Sequence, residues 1–300
     1  MTRTPNRGFT LVELTVVVVL LGIIGTAIMR TILSQQRFYR STTEVMDERG
    51  QLRQAAALLP IDLRGASAPA GDIYSVAEND ISFRAMVGAS VICSNTGAIL
   101  HIPPGTLTSG NVLTSWYSTP TTADSVAIYD ETADTWSLVG ISVAPTTTGA
   151  NCPIASGFRV AADPVGYTLT LTVAPSAGVI VPGAPIRFMR KVRYALYQSN
   201  TDNKWYLGYA ANGAAIQPVA GPYRPYSAGS TSSGMTISCF DSTGVTVTLA
   251  NCSSTVPGVS RIDIAMRAAT EHAVATGGGS GPNAQINEQT LIRVGLRNRR

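Results

Sequence analysis

The amino-acid sequence predicts an α+β protein in which a long N-terminal helix packs on an antiparallel β-sheet. No residue from Leu14 to Met29 is charged. The stretch from Gln35 to Leu59 has no proline and places apolar residues mostly three or four positions apart. From about Asp72 onward, apolar and polar residues alternate with a period of two. The first two patterns are typical of helices and the third of half-buried strands, so helix is predicted before sheet.

The first part of the helix is long enough to cross a membrane. Within residues 9–33 only Glu13 and Arg30 are charged, and a spanning helix needs about 20 residues. Many of these residues are β-branched, which disfavours a helix in water, but lipid leaves unpaired backbone groups no solvent and therefore imposes one. Arg3 and Arg7 precede the span, so the positive-inside rule places the N-terminus in the cytoplasm and the chain after the span outside it.

A processing site is predicted at the start of this span. The polar leader, residues 1–8, ends in Gly8 directly before the apolar run, which Phe9 begins. One alternative is a secretory signal cut after residues 25–27, and another is an uncleaved anchor. A secretory signal has an apolar core of about 7 to 15 residues, whereas this apolar run continues through Met29.

Glu13 is the residue in the span that requires a partner. An ionised carboxylate in the membrane costs several kcal/mol unless it is paired, so such residues are functional candidates. The alternative is that Glu13, which lies near the start of the span, reaches the membrane interface and remains hydrated.

Residues 8–14, Gly-Phe-Thr-Leu-Val-Glu-Leu, closely resemble the cleavage and methylation motif of type IV prepilins and type II secretion pseudopilins. The resemblance implies a pilin-like fold and cleavage by a prepilin peptidase between Gly8 and Phe9, followed by N-methylation of Phe9. It also implies that Glu13 meets the free amine of a neighbouring subunit. The expected location is the bacterial inner membrane, with an extracytoplasmic head, and then a filament in the periplasm or at the cell surface. The expected partners are the peptidase, the membrane, and other pilin or pseudopilin subunits.

Residues 34–66 are predicted to continue the helix as an amphipathic half that docks on the sheet. Its apolar positions are Phe38, Val45, Met46, Leu52, Ala55, Ala56 and Leu59. Pro60 is predicted to end or kink the helix because it lacks the backbone donor, and residues 67–71 read as a linker. Residues 61–66 also resemble a segment of J-type pseudopilins and W-type minor pilins.

Residues 72–300 are predicted to form the β-rich extracytoplasmic head. The alternation and turn residues predict several strands and turns: strands at 124–129 and 135–139 around a turn at 130–134, strands around Tyr194 and from Trp205 around a turn at 199–203, and strands at 262–266 and 285–296, the last after a glycine-rich loop at 277–282. Residues 192–197 and 294–298 loosely resemble strands of the J- and W-type subunits. The segment 103–185 resembles no known family segment, and outside the hairpin around residues 130–134 the sequence does not predict its fold.

The four cysteines are even in number and follow the membrane span, where oxidation is permitted. Three pairings are possible. Cys239 and Cys252 flank a predicted hairpin, which favours their local closure into a disulfide, and Cys93 then pairs with Cys152 by elimination. Zinc is disfavoured as the reason for these cysteines, because there is no C-x-x-C pair and no histidine in either cluster.

Composition and motifs argue against catalysis and nucleic-acid binding. Charged residues are 13% of the chain and hydrophobic residues 45%, which indicates a globular protein. Loss of the two arginines of the leader takes Lys+Arg from 22 to 20 against 18 acids, too small an excess to predict binding of nucleic acid.

No nucleophile elbow, zinc helix or phosphate loop is present, and His101 and His272 each fit a structural or solvated role. Asp130, Glu131 and Asp134 could gather calcium but lack the alternation of an oxygen-ligand loop. We therefore expect no enzyme activity, metal, cofactor or small-molecule substrate.

Two functions fit this sequence. The first is a minor pilin or pseudopilin that primes or caps a type IV pilus or a type II secretion pseudopilus, because a chain of 300 residues carries a head too bulky for an ordinary filament repeat. The second is a membrane-tethered surface adhesin or binding module. Glu13 distinguishes them, since a simple anchor does not need a carboxylate in its span.

Overall fold

The computed structural model describes residues 10–148, 152–175, 180–253, 258–275 and 283–296. The chain divides into two units. The first comprises residues 1–50 and 269–288, and the second comprises residues 51–268 and 289–300.

One helix precedes all the strands, as the sequence predicts. Helix α1 spans Leu11–Leu63. The first strands are β1 Ile73–Ala77, β2 Asp80–Val91, β3 Ser94–Thr96, β4 Ile99–Ile102, β5 Ser115–Trp116, β6 Ser125–Asp130, β7 Thr135–Thr146 and β8 Tyr167–Leu171. The later strands are β9 Pro185–Gln198, β10 Trp205–Ala211, β11 Gln217–Tyr223, β12 Met235–Phe240, β13 Thr246–Val247, β14 Arg261–Ala269, β15 Val274–Ala275, β16 Asn283–Ala284 and β17 Asn287–Gly295. Short 3-10 turns lie at Ile154–Ser156 and Leu249–Asn251.

Pro60 does not end α1. The helix continues to Leu63, and the backbone N–H of Arg64 still bonds to the Pro60 carbonyl at 3.1 Å. Leu59 and Leu63 are each 1% exposed, and full burial of such a side chain contributes about 1.5–3 kcal/mol. Burial on both sides of Pro60 therefore offsets the roughly 3 kcal/mol that a proline costs inside a helix.

The first unit contains α1 up to Gly50 together with the short antiparallel pair of β15 and β16. Two side-chain contacts tie its parts together: His272 Nδ1 lies within hydrogen-bond distance of Glu44 Oε1, at 2.8 Å, and Arg49 Nη2 forms an ion pair with Glu288 Oε1 at 2.8 Å. Between these contacts along the helix, Glu48 is only 7% exposed. Neither of its carboxylate oxygens has a hydrogen-bond partner among the residues that the structure describes.

The second unit is built on an 11-stranded sheet with the main strand order β1-β2-β9-β6-β7-β8-β4-β3. Strand β9 is its centre, because it pairs antiparallel with β2, β6 and β10. The predicted hairpins at 130–134 and 199–203 are both present, as β6–β7 and β9–β10. Asn203 occupies the second turn with a φ of 57°, a left-handed conformation that asparagine tolerates better than most residues.

The last part of α1 packs in the core between this sheet and a smaller one. The smaller sheet has the order β13-β12-β14-β17. Leu52, Ala55, Leu59 and Leu63 are buried at helical spacing, in one cluster with residues of both sheets that include Phe83, Val192, Leu196, Ile264, Met266 and Val294. The chain therefore has the pilin-like α+β architecture, a long apolar helix packed on antiparallel sheets.

Both disulfides that the sequence analysis expects are present in the second unit. Cys239 and Cys252 have Cα atoms 5.9 Å apart and close the β12–β13 hairpin, in which Cys239 lies opposite Val247. The second strand of this hairpin is short and contains only Thr246–Val247. Cys93 and Cys152 have Cα atoms 5.2 Å apart.

The segment 103–185, in which the sequence predicts only the hairpin around residues 130–134, extends the large sheet. It supplies β6, β7 and β8, which pack around a second apolar cluster with Val126, Ile128, Ile141, Leu169 and Leu171. A buried ion pair joins the residue before β6 to β9. Arg190 Nε donates to Asp124 Oδ1 at 2.8 Å, and Arg190 Nη2 donates to Asp124 Oδ2 at 2.7 Å. Asn212 Nδ2 also donates to Asp124 Oδ1, at 2.9 Å. Burial raises the pKa of Asp124, but the hydrogen bonds from Arg190 and Asn212 outweigh it and hold that pKa below its usual range.

Candidate assembly surface on the N-terminal helix

Helix α1 begins with a capping threonine. The backbone N–H of Leu14 bonds to the Thr10 carbonyl at 3.2 Å, and the backbone N–H of Glu13 donates to Thr10 Oγ1 at 3.3 Å. Thr10 thus satisfies a backbone donor that the first turn would leave unpaired. The predicted processing residues, Gly8 and Phe9, lie outside the described residues.

The predicted membrane span is a helix whose side chains are exposed on all sides. Its most apolar 18-residue window has a mean hydropathy of 2.5 and is 0% buried, so by length and composition it can cross a membrane. Three threonine hydroxyls bond back to carbonyls one turn earlier: Thr15 to Val12, Thr26 to Ile23 and Thr31 to Ala27, at 2.8, 2.8 and 3.0 Å. The hydroxyls of these three threonines are therefore satisfied by the helix itself, as a membrane-spanning helix would require.

Glu13 is the acidic residue in the first turn of α1. The positive end of the helix dipole favours a negative charge there by about 0.3–1 kcal/mol at an exposed site. The side chain of Glu13 makes no hydrogen bond or ion pair with any residue that the structure describes. Among these residues, nothing occupies the Glu13 carboxylate.

The apolar surface of the helix continues beyond the span, where the sequence prediction is partly wrong. Leu52, Ala55 and Leu59 are buried as expected, but Phe38 and Met46 are each 66% exposed. The spacing of apolar residues predicts which face of a helix can be buried. It does not predict the position along the helix at which that burial begins. The part of α1 before Gly50 therefore has exposed apolar side chains beyond the predicted span as well as within it.

The polar residues singled out in the head serve local structure. His101 Nδ1 lies 3.1 Å from Thr168 Oγ1, and burial lowers the pKa of His101. Asp130 Oδ1 accepts the backbone N–H groups of the turn that follows it, and Asp134 Oδ1 accepts the Tyr129 hydroxyl at 2.6 Å. Across the described part of the chain, no group of three or more His, Cys, Asp or Glu residues is arranged to hold a metal ion.

The sequence does not reveal one charged cavity, because residues of four strands and a loop line it. Arg84 of β2 and Arg187 of β9 line one cavity with Trp136 and Leu138 of β7 and with Asp72. These residues lie far apart along the chain, so only the pairing of the strands brings them together. The alternation within each strand was the one available signal that they face away from the core.

Residues 3–29 match the family described as the prokaryotic N-terminal methylation motif. This motif is typical of type IV pilins and pseudopilins, and the matched residues include the glycine, the phenylalanine and the glutamate discussed above as well as most of the span. No curated protein matches the chain, and no solved structure matches it.

Proposed function

We propose that this chain, which carries the methylation motif at the head of an exposed apolar helix, is a minor pilin or pseudopilin. In this proposal a prepilin peptidase cleaves between Gly8 and Phe9 and methylates Phe9. The mature subunit is held in the bacterial inner membrane with its head outside the cytoplasm. It then joins other subunits through α1 and primes or caps a type IV pilus or a type II secretion pseudopilus.

The observation that carries the proposal is the coincidence of three features on one helix. The motif covers residues 3–29. Within the described part of the chain, no residue covers the apolar window of α1, and Glu13 in the first turn has no ion partner there. The loose resemblance of residues 61–66, 192–197 and 294–298 to J- and W-type subunits favours a minor position, as does the size of the head.

Processing is tested by intact-mass analysis of the full-length protein purified from membranes that contain a prepilin peptidase. We expect a chain that starts at Phe9 and carries one added methyl group. The Gly8→Ala variant should keep its leader, because the family's peptidase site is shaped for glycine. A wild-type chain that starts at Met1, or near Ile28 as after a secretory signal, would contradict the proposal.

Incorporation into a filament is tested by Glu13→Gln. If the Glu13 carboxylate pairs with the Phe9 amine of a neighbouring subunit, the variant should be processed and inserted normally but should cross-link poorly to partner subunits. Loss of one member of a desolvated pair leaves the other charge uncompensated, at a cost of about 3–5 kcal/mol. Arg30→Gln, at the other end of the span, is the matched control and should assemble normally. Equal cross-linking of wild type and Glu13→Gln would favour a membrane-tethered adhesin or binding module instead.

A further inference from the structure

The outer face of the large sheet, the face turned away from the core, contains a small cationic cavity. The residues that define it here are Asp72, Arg84, Ala127, Trp136, Leu138, Arg187 and Met189, all in the second unit, and its volume is about 40 Å³. Strand pairing assembles it: Ala127 of β6 lies opposite both Arg187 of β9 and Leu138 of β7. We call it the outer-face pocket.

Arg84 is the least satisfied group in this pocket. Its side chain is only 16% exposed, and its Nη1 donates to the Gly71 carbonyl at 2.8 Å. The Arg84 Nε atom is buried and has no hydrogen-bond partner among the described residues. A buried unsatisfied donor costs about 1–3 kcal/mol, more when it is charged, so its presence calls for an acceptor.

The carboxylate inside the pocket pairs with Arg84 but does not satisfy its Nε atom. Asp72 Oδ1 forms an ion pair with Arg84 Nη1 at 3.6 Å, while Asp72 Oδ2 accepts the backbone N–H of Ser67 at 2.8 Å. Arg84 and Arg187 together bring two guanidinium groups to the pocket against this one carboxylate. Lys191, opposite Arg84 in the sheet, adds a third cation nearby. The site is therefore electropositive and suited to an anion.

The side chains that line the pocket, together with its volume, limit which anion can bind. The Arg187 guanidinium lies 4.0 Å above the centre of the Trp136 ring, and the Arg84 guanidinium lies 4.6 Å from the centre of the Tyr74 ring. These cations occupy ring surface on which a sugar or a nucleobase would stack. A volume of about 40 Å³ admits a few water molecules or one carboxylate group. Leu138, Met189 and Ala127 offer apolar contact to a short aliphatic stem.

We propose that the outer-face pocket binds the carboxylate of an aspartate or glutamate side chain presented by a partner protein. A side-chain carboxylate carries a methylene stem that can enter a small cavity, whereas the carboxylate of a uronic acid and the phosphate of a nucleic acid are attached directly to bulky groups. The carboxylate accepts hydrogen bonds from the guanidinium groups of Arg84 and Arg187, and its stem packs on Leu138 and Met189. This site does not involve α1 and holds whether or not the chain assembles into a filament.

Saturation-transfer NMR on the full-length protein in detergent micelles tests the assignment with small probes. N-acetyl-glutamate amide should bind saturably, and the matched neutral N-acetyl-glutamine amide should bind at least about tenfold more weakly, because it lacks the charge that strengthens such hydrogen bonds. Equal binding of the two probes would overturn the proposal. Tighter binding of glucuronate than of N-acetyl-glutamate amide would assign the pocket to an acidic glycan and overturn it as well.

Two variants locate the binding. Arg187→Gln should weaken the affinity for N-acetyl-glutamate amide at least about tenfold, and Ala127→Leu should abolish binding by filling the cavity without changing its charge. The matched control is Arg193→Gln, which removes an outward arginine of the same strand that pairs with Asp80 and does not line the pocket. Unchanged affinity in Arg187→Gln and in Ala127→Leu, or an equal loss in Arg193→Gln, would show that the probe binds elsewhere.

Discussion

Replacing Glu48 by glutamine is expected to stabilise the first unit at neutral pH. Burial raises the pKa of Glu48 from 4.5 to about 7, and the nearby charges of Glu288 and Glu44 add to the effect. Neither carboxylate oxygen has a hydrogen-bond partner among the described residues to compensate. Glutamine keeps the shape of the side chain and removes the charge.

The size and the sign of the effect follow from that pKa. A rise from 4.5 to about 7 corresponds to at most about 3 kcal/mol against the ionised form. Hydration of this surface-near site reduces the expected value to about 1–2 kcal/mol. Below about pH 4.5 the carboxyl is protonated in both the folded and the unfolded state, so there is no penalty. The penalty grows as the pH rises from 4.5 towards 7 and is complete above 7.

Hydrogen exchange of the full-length protein in detergent measures this local stability. The backbone N–H groups of Thr270 and Ile286 bond across the first unit, to the Ile286 carbonyl and to Thr270 Oγ1, both at 3.1 Å. In Glu48→Gln these amides should exchange about 5- to 30-fold more slowly at pH 7.5, with no difference from wild type at pH 4.5.

The matched control is Asp47→Asn, which removes the same charge from the adjacent exposed position. It should leave exchange of both amides unchanged. If Glu48→Gln exchanges as fast as wild type at pH 7.5, or if Asp47→Asn slows exchange equally, the buried charge of Glu48 does not destabilise the first unit.

Two further predictions concern the head. Replacing Cys239 and Cys252 by alanine removes a link across 13 positions and should lower the free energy of unfolding by about 3 kcal/mol in the chain-entropy model; an unfolding midpoint in denaturant equal to that of wild type would argue against it. Asp124→Asn should cost about 3–5 kcal/mol, because it leaves buried Arg190 without its counter-charge. Since the pKa of Asp124 is lowered on folding, its contribution is present above its ordinary value and is lost as the pH falls. The free energy of unfolding should therefore fall less steeply with decreasing pH in the variant than in wild type. An equal pH dependence would show that Asp124 does not contribute to it.

The parts of the fold that sequence predicts are the local ones. The turns at 130–134 and 199–203 carry their own signals, namely polar residues between alternating strands, and both are present. The helix is also evident from its period. The central place of β9 is not, because it depends on pairing with β2 and β6, which precede it by a long stretch of chain.

The candidate sites divide in the same way. Gly8, Phe9 and Glu13 lie within six consecutive residues and can be recognised as a motif, and their roles remain predictions. Glu48 resembles an ordinary solvated charge on a helix, and nothing local shows that it is buried. Arg84 and Arg187 appear as separate charges on separate strands, and only the register of the sheet gives them a common cavity.

The Cys93–Cys152 disulfide has a consequence for resistance to proteolysis. The two cysteines are 59 positions apart, and the exposed segment around Ser109–Asn111 lies between them. A protease that cuts this segment leaves one new chain end attached through Cys93 and the other through Cys152. The nicked head remains a single covalent molecule under oxidising conditions, and its two pieces can separate only after reduction and unfolding of the sheet that also joins them.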